Sequence, residues 1–428
     1  MLGIPSKHIL ASNVLPGGIC LELVQTICRL AGWINESADT APRYLLTFPK
    51  RKTYEAVAAR IREELQSQEG WKRVTFLPLA GAIRLPLDEP KLLMNTDDLI
   101  LEPDRILTID TKYFLPHTGK TSLSYDPAHR IPWGVADVCA PKLWRKTKGA
   151  HVRIGVVDTG VDYEHPDIRD ALHTGVNIIN RHLSAADDNG HGTHIAGTIA
   201  ASSTAGKINT GIYGVAPKAR IFPVKAFDKD GSAYVSDIIL AIHWCIANKI
   251  NIINMSFGMS EYSPSLYQAV KAAYRRNVII VASSGNNGHE NAVDYPAKMP
   301  HTIAVGAINK RKKVAAFSNQ GMEVDIYAPG EAIYSTWPGY RYNELNGTSM
   351  AAAHVSGVLA LLLSRKPGLT YTQIKKIIVG TAVPLTKEQR HAGAPGRLNA
   401  VRAWSRLTTS SVKQNAVPTK KHVRTASR

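Results

Sequence analysis

Cysteine is scarce in this chain: only four of its 428 residues are cysteines, namely Cys20, Cys28, Cys139 and Cys245. So few cysteines in so long a chain exclude a dense disulfide framework, and none lies in a motif typical of a cysteine nucleophile. A single disulfide bond is left open, but we expect free and buried cysteines. The fold must therefore be stabilised mainly by its hydrophobic core.

The sequence also lacks an unbroken apolar segment of about 20 residues, the length that a helix needs to cross a bilayer. It therefore predicts no membrane span. Forty-four per cent of the residues are hydrophobic, and 32 glycines and 24 prolines are scattered along the chain. Because this composition suits a large α/β core and the length exceeds one typical domain, we expect two or more structural units.

Acidic residues are outnumbered by basic ones, 34 to 52, so the net charge is +18. The segment after Ser410 contains lysines and arginines but no acidic residue, and we predict a disordered, solubilising tail over residues 409–428. Binding of this tail to nucleic acid or to an anionic cell surface is the alternative. Since no nucleic-acid-binding module is recognisable, we expect no specific nucleic-acid partner.

Three short strings, far apart in the chain, each place one reactive side chain among small residues. Asp158 follows an apolar run that predicts a buried strand of a parallel sheet. His191 opens a small-residue segment that predicts a helix over residues 191–201, and Ser349 begins a largely apolar helix predicted to extend to residue 363. An acid, a base and a hydroxyl thus occur in one of the chain orders in which serine nucleophiles are built.

Each of these residues also has a structural explanation. Asp-Thr-Gly is a common turn composition, and a serine at a helix start is usually a cap. The i, i+3 spacing of His191 and His194 leaves a metal site open, but no third ligand lies nearby on that helix face, so His194 is interpreted as structural. The combination favours catalysis, because a serine hydroxyl needs an imidazole to take its proton and the imidazole needs a carboxylate to orient it.

The motifs Asp-Thr-Gly at 158–160, His-Gly-Thr-His at 191–194 and Gly-Thr-Ser-Met-Ala at 347–351 resemble the subtilisin family of serine endopeptidases. The resemblance covers about residues 131–406. Intervening strings agree with it: Tyr-Gly-Val-Ala-Pro at 213–217, Asn-Met-Ser-Phe-Gly at 254–258 and Ala-Ser-Ser-Gly-Asn-Asn-Gly at 282–288.

This resemblance implies an α/β fold, a subtilisin-like three-layer sandwich with a mostly parallel central sheet, over a catalytic domain at 131–408. It implies hydrolysis of peptide bonds through an acyl-enzyme, with polypeptides as substrates and no cofactor needed for the chemistry. The implied roles are Asp158 as the orienting acid, His191 as the general base, Ser349 as the nucleophile and Asn286 as the side-chain donor of the oxyanion hole. An inactive binding module is disfavoured because all four positions carry the competent residue.

The resemblance further implies that a substrate peptide binds as an extra strand between residues 229–234 and the segment Ser256, Phe257 and Gly258. The first specificity pocket of the family has its base shortly before a Tyr-Pro pair, and here the residue before that pair is Asp294. A carboxylate at this base favours Lys or Arg before the scissile bond. The alternative is an exposed loop residue that points to solvent.

Residues 40–110 are predicted to form a separate α+β unit. Strands are expected at 43–48, 72–79, 81–85 and 98–103, and helices at 52–66 and 89–95. This order is that of the split βαβ, ferredoxin-like motif. It also resembles the subtilisin propeptide, which implies an intramolecular chaperone and inhibitor and a self-processing zymogen; an unrelated accessory domain of the same topology is the alternative. Cleavage is then expected in a processing loop at 111–130, where Lys112, Lys120 and Tyr125 are candidates.

Residues 1–39 have no assigned role, although 19–33 suit a short amphipathic helix. No secretory signal peptide is recognisable in them, because polar residues, prolines and glycines interrupt any apolar core. The location is left open, and a propeptide favours export over the cytoplasm. We expect a monomer.

Calcium is the cofactor that the resemblance implies, in a structural role. Asp167 matches a ligand that subtilases place after the strand of the catalytic acid. The loop 202–211, which would supply further ligands, departs from the family pattern at Ile208. Asp187 and Asp188 form either a second cation site or a polar turn.

Overall fold

The computed structural model describes residues 14–15, 19–20, 27, 42–65, 74–87, 99–109, 130–203, 211–385 and 396–414. The strands, numbered along the chain, are β1 (Val14–Leu15), β2 (Ile19–Cys20), β3 (Arg43–Thr47), β4 (Thr75–Leu77), β5 (Ala82–Pro86), β6 (Ile100–Pro103), β7 (Ile106–Thr108), β8 (Arg153–Asp158), β9 (Val176–Asn177), β10 (Arg220–Lys225), β11 (Ser232–Tyr234), β12 (Ile252–Met255), β13 (Ile279–Ser283), β14 (Thr302–Ile308), β15 (Ile326–Pro329), β16 (Ile333–Trp337) and β17 (Arg341–Leu345). The helices in these parts of the chain are α1 (Arg51–Leu65), α2 (Trp133–Asp137), α3 (His191–Ala200), α4 (Val235–Ala247), α5 (Pro264–Arg275), α6 (Thr348–Arg365), α7 (Tyr371–Gly380) and α8 (Ala400–Gln414).

The central sheet has seven strands in the order β15-β14-β13-β12-β8-β10-β9, and every neighbouring pair is parallel. Its strands are short apolar runs that are buried on both faces, as the sequence of a parallel sheet requires. The buried strand predicted just before Asp158 is confirmed as β8, which has Asp158 as its last residue.

Alternate residues of these strands face two different hydrophobic clusters. Ile154 and Val156 of β8 pack in one cluster with α3 and α6, whereas Val157 packs in the other with α4 and α5. The result is a layer of helices, a sheet and a second layer of helices. The predicted three-layer α/β sandwich with a parallel central sheet is therefore confirmed.

The connectivity of the sheet places a crevice beside β8. The chain enters the sheet at β8, adds β9 and β10 on one side, and then returns to add β12 to β15 on the other side. In open α/β sheets, ligands bind at such a switch in strand order, outside the carboxyl ends of the strands. The segments that follow β8, β12 and β13 all emerge at this edge.

A smaller antiparallel sheet is formed by the N-terminal part of the chain, in the order β4-β5-β3-β6. The four strands and α1 lie where the sequence predicted them, within a few residues at each end. They enclose their own hydrophobic cluster, which includes Leu46, Val57, Ile61 and Ile83. The second predicted helix, at 89–95, lies outside the described residues, as does the processing loop except for Arg130.

Two expectations at the chain ends differ from the structure. Ile19–Cys20 is a strand paired with Val14–Leu15, so no helix starts at residue 19; an amphipathic pattern over so short a segment did not outweigh the strand pairing. Helix α8 continues to Gln414, past the predicted start of the disordered tail, because its apolar side, with Ala403, Trp404 and Leu407, packs on the core. Residues 415–428 lie outside the described part.

Cys139 and Cys245 are free cysteines, and Cys245 is fully buried. Cys28 and the side chain of Cys20 lie outside the described residues. Over the described ranges, the structure contains no helix with the length and apolar character needed to cross a bilayer.

Candidate active site

The acid and the imidazole of the predicted site form a direct contact. Asp158 is the last residue of β8, and His191 is the first residue of α3. The His191 Nδ1 donates a hydrogen bond to the Asp158 Oδ1 at 2.7 Å, and both side chains are completely buried. The same carboxylate oxygen also accepts the Thr159 backbone N–H at 2.9 Å, so that the acid is fixed from two directions.

The turn that precedes His191 is organised by Asp187. Its Oδ1 accepts hydrogen bonds from the Thr159 hydroxyl and from the backbone N–H groups of Asn189 and Gly190. Its Oδ2 accepts both the N–H and the hydroxyl of Thr193, at 2.9 and 2.6 Å. Because both oxygens are bound to donors, Asp187 supports the polar-turn interpretation over a cation site, and it fixes the direction in which helix α3 starts.

His194 does not share a site with His191. Its Nε2 donates to the carbonyl oxygens of Ile333 and Asn343, at 2.9 and 3.2 Å. Complete burial lowers the pKa of His194 to about 3, so the ring is a neutral structural donor. No group of three or more possible ligand side chains was found in the described ranges, and the metal alternative for this helix has no support.

The serine lies at the start of the buried helix α6, which the structure begins at Thr348, one residue before the predicted start. The Ser349 Oγ donates to the Ser256 carbonyl oxygen at 2.9 Å, and the Ser256 hydroxyl donates to the Ser349 carbonyl oxygen at 3.2 Å. Since Ser256 directly follows β12, these two bonds fix the serine at the carboxyl edge of the sheet, next to β8.

Asn286 follows β13 and is tied to the same helix start. Its Oδ1 accepts hydrogen bonds from the N–H and the hydroxyl of Thr348, at 2.9 and 2.8 Å. Asn286 also lines the cleft together with Ser349. Because Thr348 binds the carbonyl end of the amide, the Nδ2 end is left to donate a hydrogen bond, which stabilisation of an oxyanion requires.

A strand of the same chain occupies the cleft. Strand β7 pairs antiparallel with β11, and Thr108 forms a second antiparallel bridge with Gly258 on its other side. The Ile109 N–H donates to the Gly231 carbonyl oxygen at 2.8 Å. The two segments that the sequence predicted to bind a peptide as an extra strand therefore enclose residues 106–109 in that manner.

The cleft beside this strand has a volume of about 510 Å³ and is acidic. Ser256, Phe257 and Gly258 line it, as the sequence predicted, and so do Ser349 and Asn286. Its described lining includes no lysine, arginine or histidine, whereas it includes three carboxylates, namely Asp230, Glu261 and Asp294.

Asp294 lies against the backbone of two cleft glycines. A Cβ atom added to Gly258 would lie 2.7 Å from the Asp294 Cβ, and one added to Gly285 would lie 2.3 Å from its Oδ2. The carboxylate thus occupies the space between the two walls of the cleft, and these two positions must be glycine to admit it. This placement favours the pocket interpretation of Asp294 over that of an exposed loop residue.

The N-terminal sheet contacts the catalytic part through carboxylates at two helix starts. Glu102 accepts hydrogen bonds from the N–H and hydroxyl of Ser265 in the first turn of α5. Asp104 accepts those of Ser236 in the first turn of α4, at 2.9 and 2.8 Å. Negative groups are favourable at helix N-termini, but burial at this contact raises the pKa of both Glu102 and Asp104.

Asp167 is buried and only partly satisfied. Its Oδ2 accepts the Ile212 N–H and the Tyr342 hydroxyl, both at 2.8 Å. Its Oδ1 has no hydrogen-bond partner among the described residues. A carboxylate oxygen in this state suits a cation ligand, but residues 204–210, including Ile208, lie outside the described part.

Several residues that organise the site were not identified from the sequence. Glu102 lies in the strand predicted at 98–103, Asp104 follows that strand, and Thr348 belongs to the Gly-Thr-Ser-Met-Ala motif, but no pattern in the sequence indicates their partners. Lys225 was overlooked, although a lysine at the end of the apolar strand β10 was a visible signal. Its ammonium group is buried and donates to the carbonyl oxygen of Thr159, the residue that follows Asp158.

A parallel sheet covered on both faces by helices, with a carboxylate–imidazole pair and a serine at its carboxyl edge, defines the class of α/β serine hydrolases. Sequence comparison narrows this class, because residues 149–411 match the family described as the Subtilase family, peptidase family S8. The chain belongs to the Subtilase family, and it is a serine-type endopeptidase.

Individual relatives agree with the family match. Subtilisin DY of Bacillus licheniformis is 39% identical over 262 residues, which cover 60% of this chain and 93% of the relative. Subtilisin E of Bacillus subtilis (strain 168) is 34% identical over 353 residues, 81% of this chain and 87% of the relative. M-protease of Shouchella clausii (strain KSM-K16) is 40% identical over 259 residues, 60% of this chain and 66% of the relative. The 353-residue match with Subtilisin E is longer than the segment 149–428, so it also includes residues before 149.

Proposed function

We propose that the chain hydrolyses peptide bonds through Asp158, His191 and Ser349, with Asn286 in the oxyanion hole. The observation that carries this proposal is the buried 2.7 Å hydrogen bond from His191 Nδ1 to Asp158. A bond at Nδ1 leaves Nε2 as the basic nitrogen of the neutral ring, which is the tautomer that a general base needs.

In the first step, the Ser349 hydroxyl turns from the Ser256 carbonyl toward His191 and attacks the substrate carbonyl carbon as its proton passes to Nε2. The oxyanion of the tetrahedral intermediate accepts hydrogen bonds from the Asn286 Nδ2 and from the Ser349 backbone N–H at the start of α6. The imidazolium then protonates the leaving amine, the C–N bond breaks, and an acyl-enzyme with Ser349 remains. Water, deprotonated by His191, releases the acid product and restores the serine.

We further propose that residues 40–110 are a propeptide that inhibits the catalytic domain at 131–408. Support comes from the strand at 106–109, which lies in the cleft as a bound peptide would. In the antiparallel register that pairs Thr108 with Gly258, a bound peptide would have the second residue after the position of Thr108 opposite Ser256. The Ser256 carbonyl oxygen accepts a hydrogen bond from the Ser349 hydroxyl. We therefore propose cleavage between Asp110 and Thr111, ahead of the candidates Lys112, Lys120 and Tyr125.

We propose a preference for Lys or Arg before the scissile bond in external substrates. Asp294 lies in a cleft whose described lining has three carboxylates, and a substrate ammonium or guanidinium group would be attracted by this acidic lining. Cleavage after Asp110 does not contradict this preference, because a tethered strand is held at a high effective concentration and needs little side-chain affinity.

We propose a structural calcium ion bound by the Oδ1 of Asp167, whose burial without a hydrogen-bond partner among the described residues supports it. When bound, the ion would supply a compensating charge to this carboxylate and no step of the reaction. We also propose that the enzyme is a monomer, that it is exported, and that its own propeptide is its partner.

A fluorophosphonate probe tests the proposed chemistry. We expect the processed enzyme to be labelled at Ser349, since the probe reacts with activated serine hydroxyls. The Ser349→Ala variant should remain unlabelled and unprocessed, whereas Ser405→Ala, on the surface of α8, should behave as the wild type. N-terminal sequencing of the mature enzyme should begin at Thr111. Labelling that persists in Ser349→Ala would overturn the assignment.

Substitution of Asp294 tests the proposed specificity. The Asp294→Asn change keeps the shape of the side chain and removes its charge, so kcat/KM for peptides with Lys or Arg before the cleaved bond should fall about 10- to 100-fold. The kcat/KM for Phe or Leu peptides should change little. Asp170→Asn, outside the cleft, is the matched control. A wild-type preference for Phe or Leu, unaltered in Asp294→Asn, would contradict the proposal.

We expect propeptide release to depend on pH. The pKa values of the carboxyl groups at the interface set the direction of this dependence. Burial near Asp104 raises the pKa of Asp237 to about 6, against the opposing effect of Arg84. A carboxyl group whose pKa is raised in the complex stabilises it at low pH, and this contribution disappears as the pH rises from about 4 to 6.

We therefore expect the processed complex to dissociate about tenfold more readily at pH 7 than at pH 4.5, and Asp237→Asn to reduce this difference. Activity recovered on dilution, divided by that of fully released enzyme at each pH, measures the release. Tighter retention at pH 7 than at pH 4.5 is the opposite outcome and would refute the idea.

Removal of calcium should lower thermal stability. EDTA is expected to reduce the melting temperature of the Ser349→Ala protein, which cannot digest itself, by several degrees, because an ion bound only to the folded state stabilises it. In an Asp167→Asn background EDTA should have little further effect, while Asp170→Asn should respond as the parent does. An unchanged melting temperature in EDTA would argue against the ion.

A further inference from the structure

Lys225 is a buried lysine whose ammonium group is fully hydrogen-bonded. Its Nζ donates to the Asp188 Oδ1 at 2.6 Å and to the carbonyl oxygens of Thr159 and Phe227 at 2.7 and 3.1 Å. These three acceptors match the three N–H donors of an ammonium group. A buried charge is costly without such partners, so a lysine here needs an explanation beyond surface solubility.

The three acceptors belong to three parts of the active site. Thr159 follows the catalytic acid, Asp188 lies in the turn before His191, and Phe227 lies in the segment that leads to the peptide-binding strand β11. In the sheet, Lys225 pairs directly with Asp158. The Asp158 carbonyl oxygen also accepts the N–H groups of Ala226 and Phe227, at 3.0 and 3.2 Å.

The acid itself is short of hydrogen-bond donors. Asp158 is completely buried, and its Oδ2 has no hydrogen-bond partner among the described residues. A buried charge with an unpartnered oxygen is costly, and an opposite charge nearby offsets part of that cost. Lys225 lies opposite Asp158 in the adjacent strand, and its ammonium group is held by the carbonyl oxygen of the next residue, Thr159.

On this basis we propose that Lys225 is a positioning residue of the catalytic centre, which holds the acid, the turn before the base and the peptide-binding segment in register and compensates the charge of Asp158. The inference rests on the proposed roles of Asp158 and His191. Asp188 is its half-exposed counter-ion and keeps the net charge of the pair near zero. The charged and titratable groups that face this region are Asp158 of β8, Asp187 and Asp188 of the turn, His191 and His194 of α3, and Lys225 of β10.

The effect of the charge on the general base can be separated from a structural effect. Removal of a cation makes a nearby imidazolium more favourable, so Lys225→Met should move the acid limb of the pH profile of kcat/KM upward by about half a pH unit. Asp188→Asn leaves the cation uncompensated and should move the limb downward. A residue that only stabilised the fold would not give shifts of opposite sign.

The test uses the processed enzyme after release of the propeptide. For Lys225→Met we expect kcat and the rate of fluorophosphonate labelling to fall at least tenfold, with KM within about twofold of wild type, and Lys225→Arg to recover part of the loss. Lys218→Met, an exposed lysine distant from the site, is the control. Because Lys225→Met can also impair folding, the Asp188→Asn profile provides the second measurement, in a variant that retains the lysine.

The outcomes are distinguishable. Wild-type enzyme that is not labelled at Ser349 refutes the proposed function itself. If the wild type is labelled but Lys225→Met or Asp188→Asn has an unchanged kcat and an unshifted pH profile of kcat/KM, only the role of Lys225 is refuted. A lower melting temperature with wild-type kcat and pH profile has the same meaning, because the lysine then serves stability alone.

Discussion

The parallel pairing of β8 with β10 on one side and β12 on the other is the constraint on which the whole site depends. It brings the carboxyl ends of the central strands to one level, and the chain leaves each strand at the same edge. Asp158 ends β8, Ser256 follows β12 and Asn286 follows β13. Helices α3 and α6, packed on one face of this sheet, then add His191 and Ser349 at their first turns. A shift of one residue in a single strand would turn its side chain to the other face and separate the acid from the base.

Two charged groups beside the site are each held by several hydrogen-bond partners. Asp187 is bound by backbone and hydroxyl donors, and Lys225 by one carboxylate and two carbonyl oxygens. At the contact with the N-terminal sheet, Glu102 and Asp104 are bound to helix starts, yet their pKa values are raised because water has been excluded from them. Asp187 and Lys225 are thus compensated locally, whereas the carboxylates at the contact retain a desolvation cost. This desolvation cost would favour the proposed release of the propeptide.

The sequence was sufficient for features that depend on local patterns. Apolar runs bounded by turns gave the strands, and small-residue helices began within a residue of His191 and Ser349. The role of Lys225 could not be predicted, because its partners are 2, 37 and 66 residues away and only the fold brings them together. The helix expected at 19–33 was wrong at its start, since pairing with Val14–Leu15 competes with a weak amphipathic pattern. The choice between turn and cation site at Asp187 likewise needed the positions of donors from β8 and α3.

Recognition in the cleft combines two forces with different requirements. Main-chain hydrogen bonds from β11 and Gly258 fix the register of any extended strand, whatever its side chains, because every residue except proline offers the same donor and acceptor. The proposed pocket at Asp294 would act on one side chain through charge, and Gly258 and Gly285 are the positions that make room for its carboxylate. A strand of the chain itself is already held through β6 and β7, so the main-chain hydrogen bonds alone are enough to bind it. An external polypeptide has no such tether, and under the proposed specificity the charge of Asp294 would decide between such substrates.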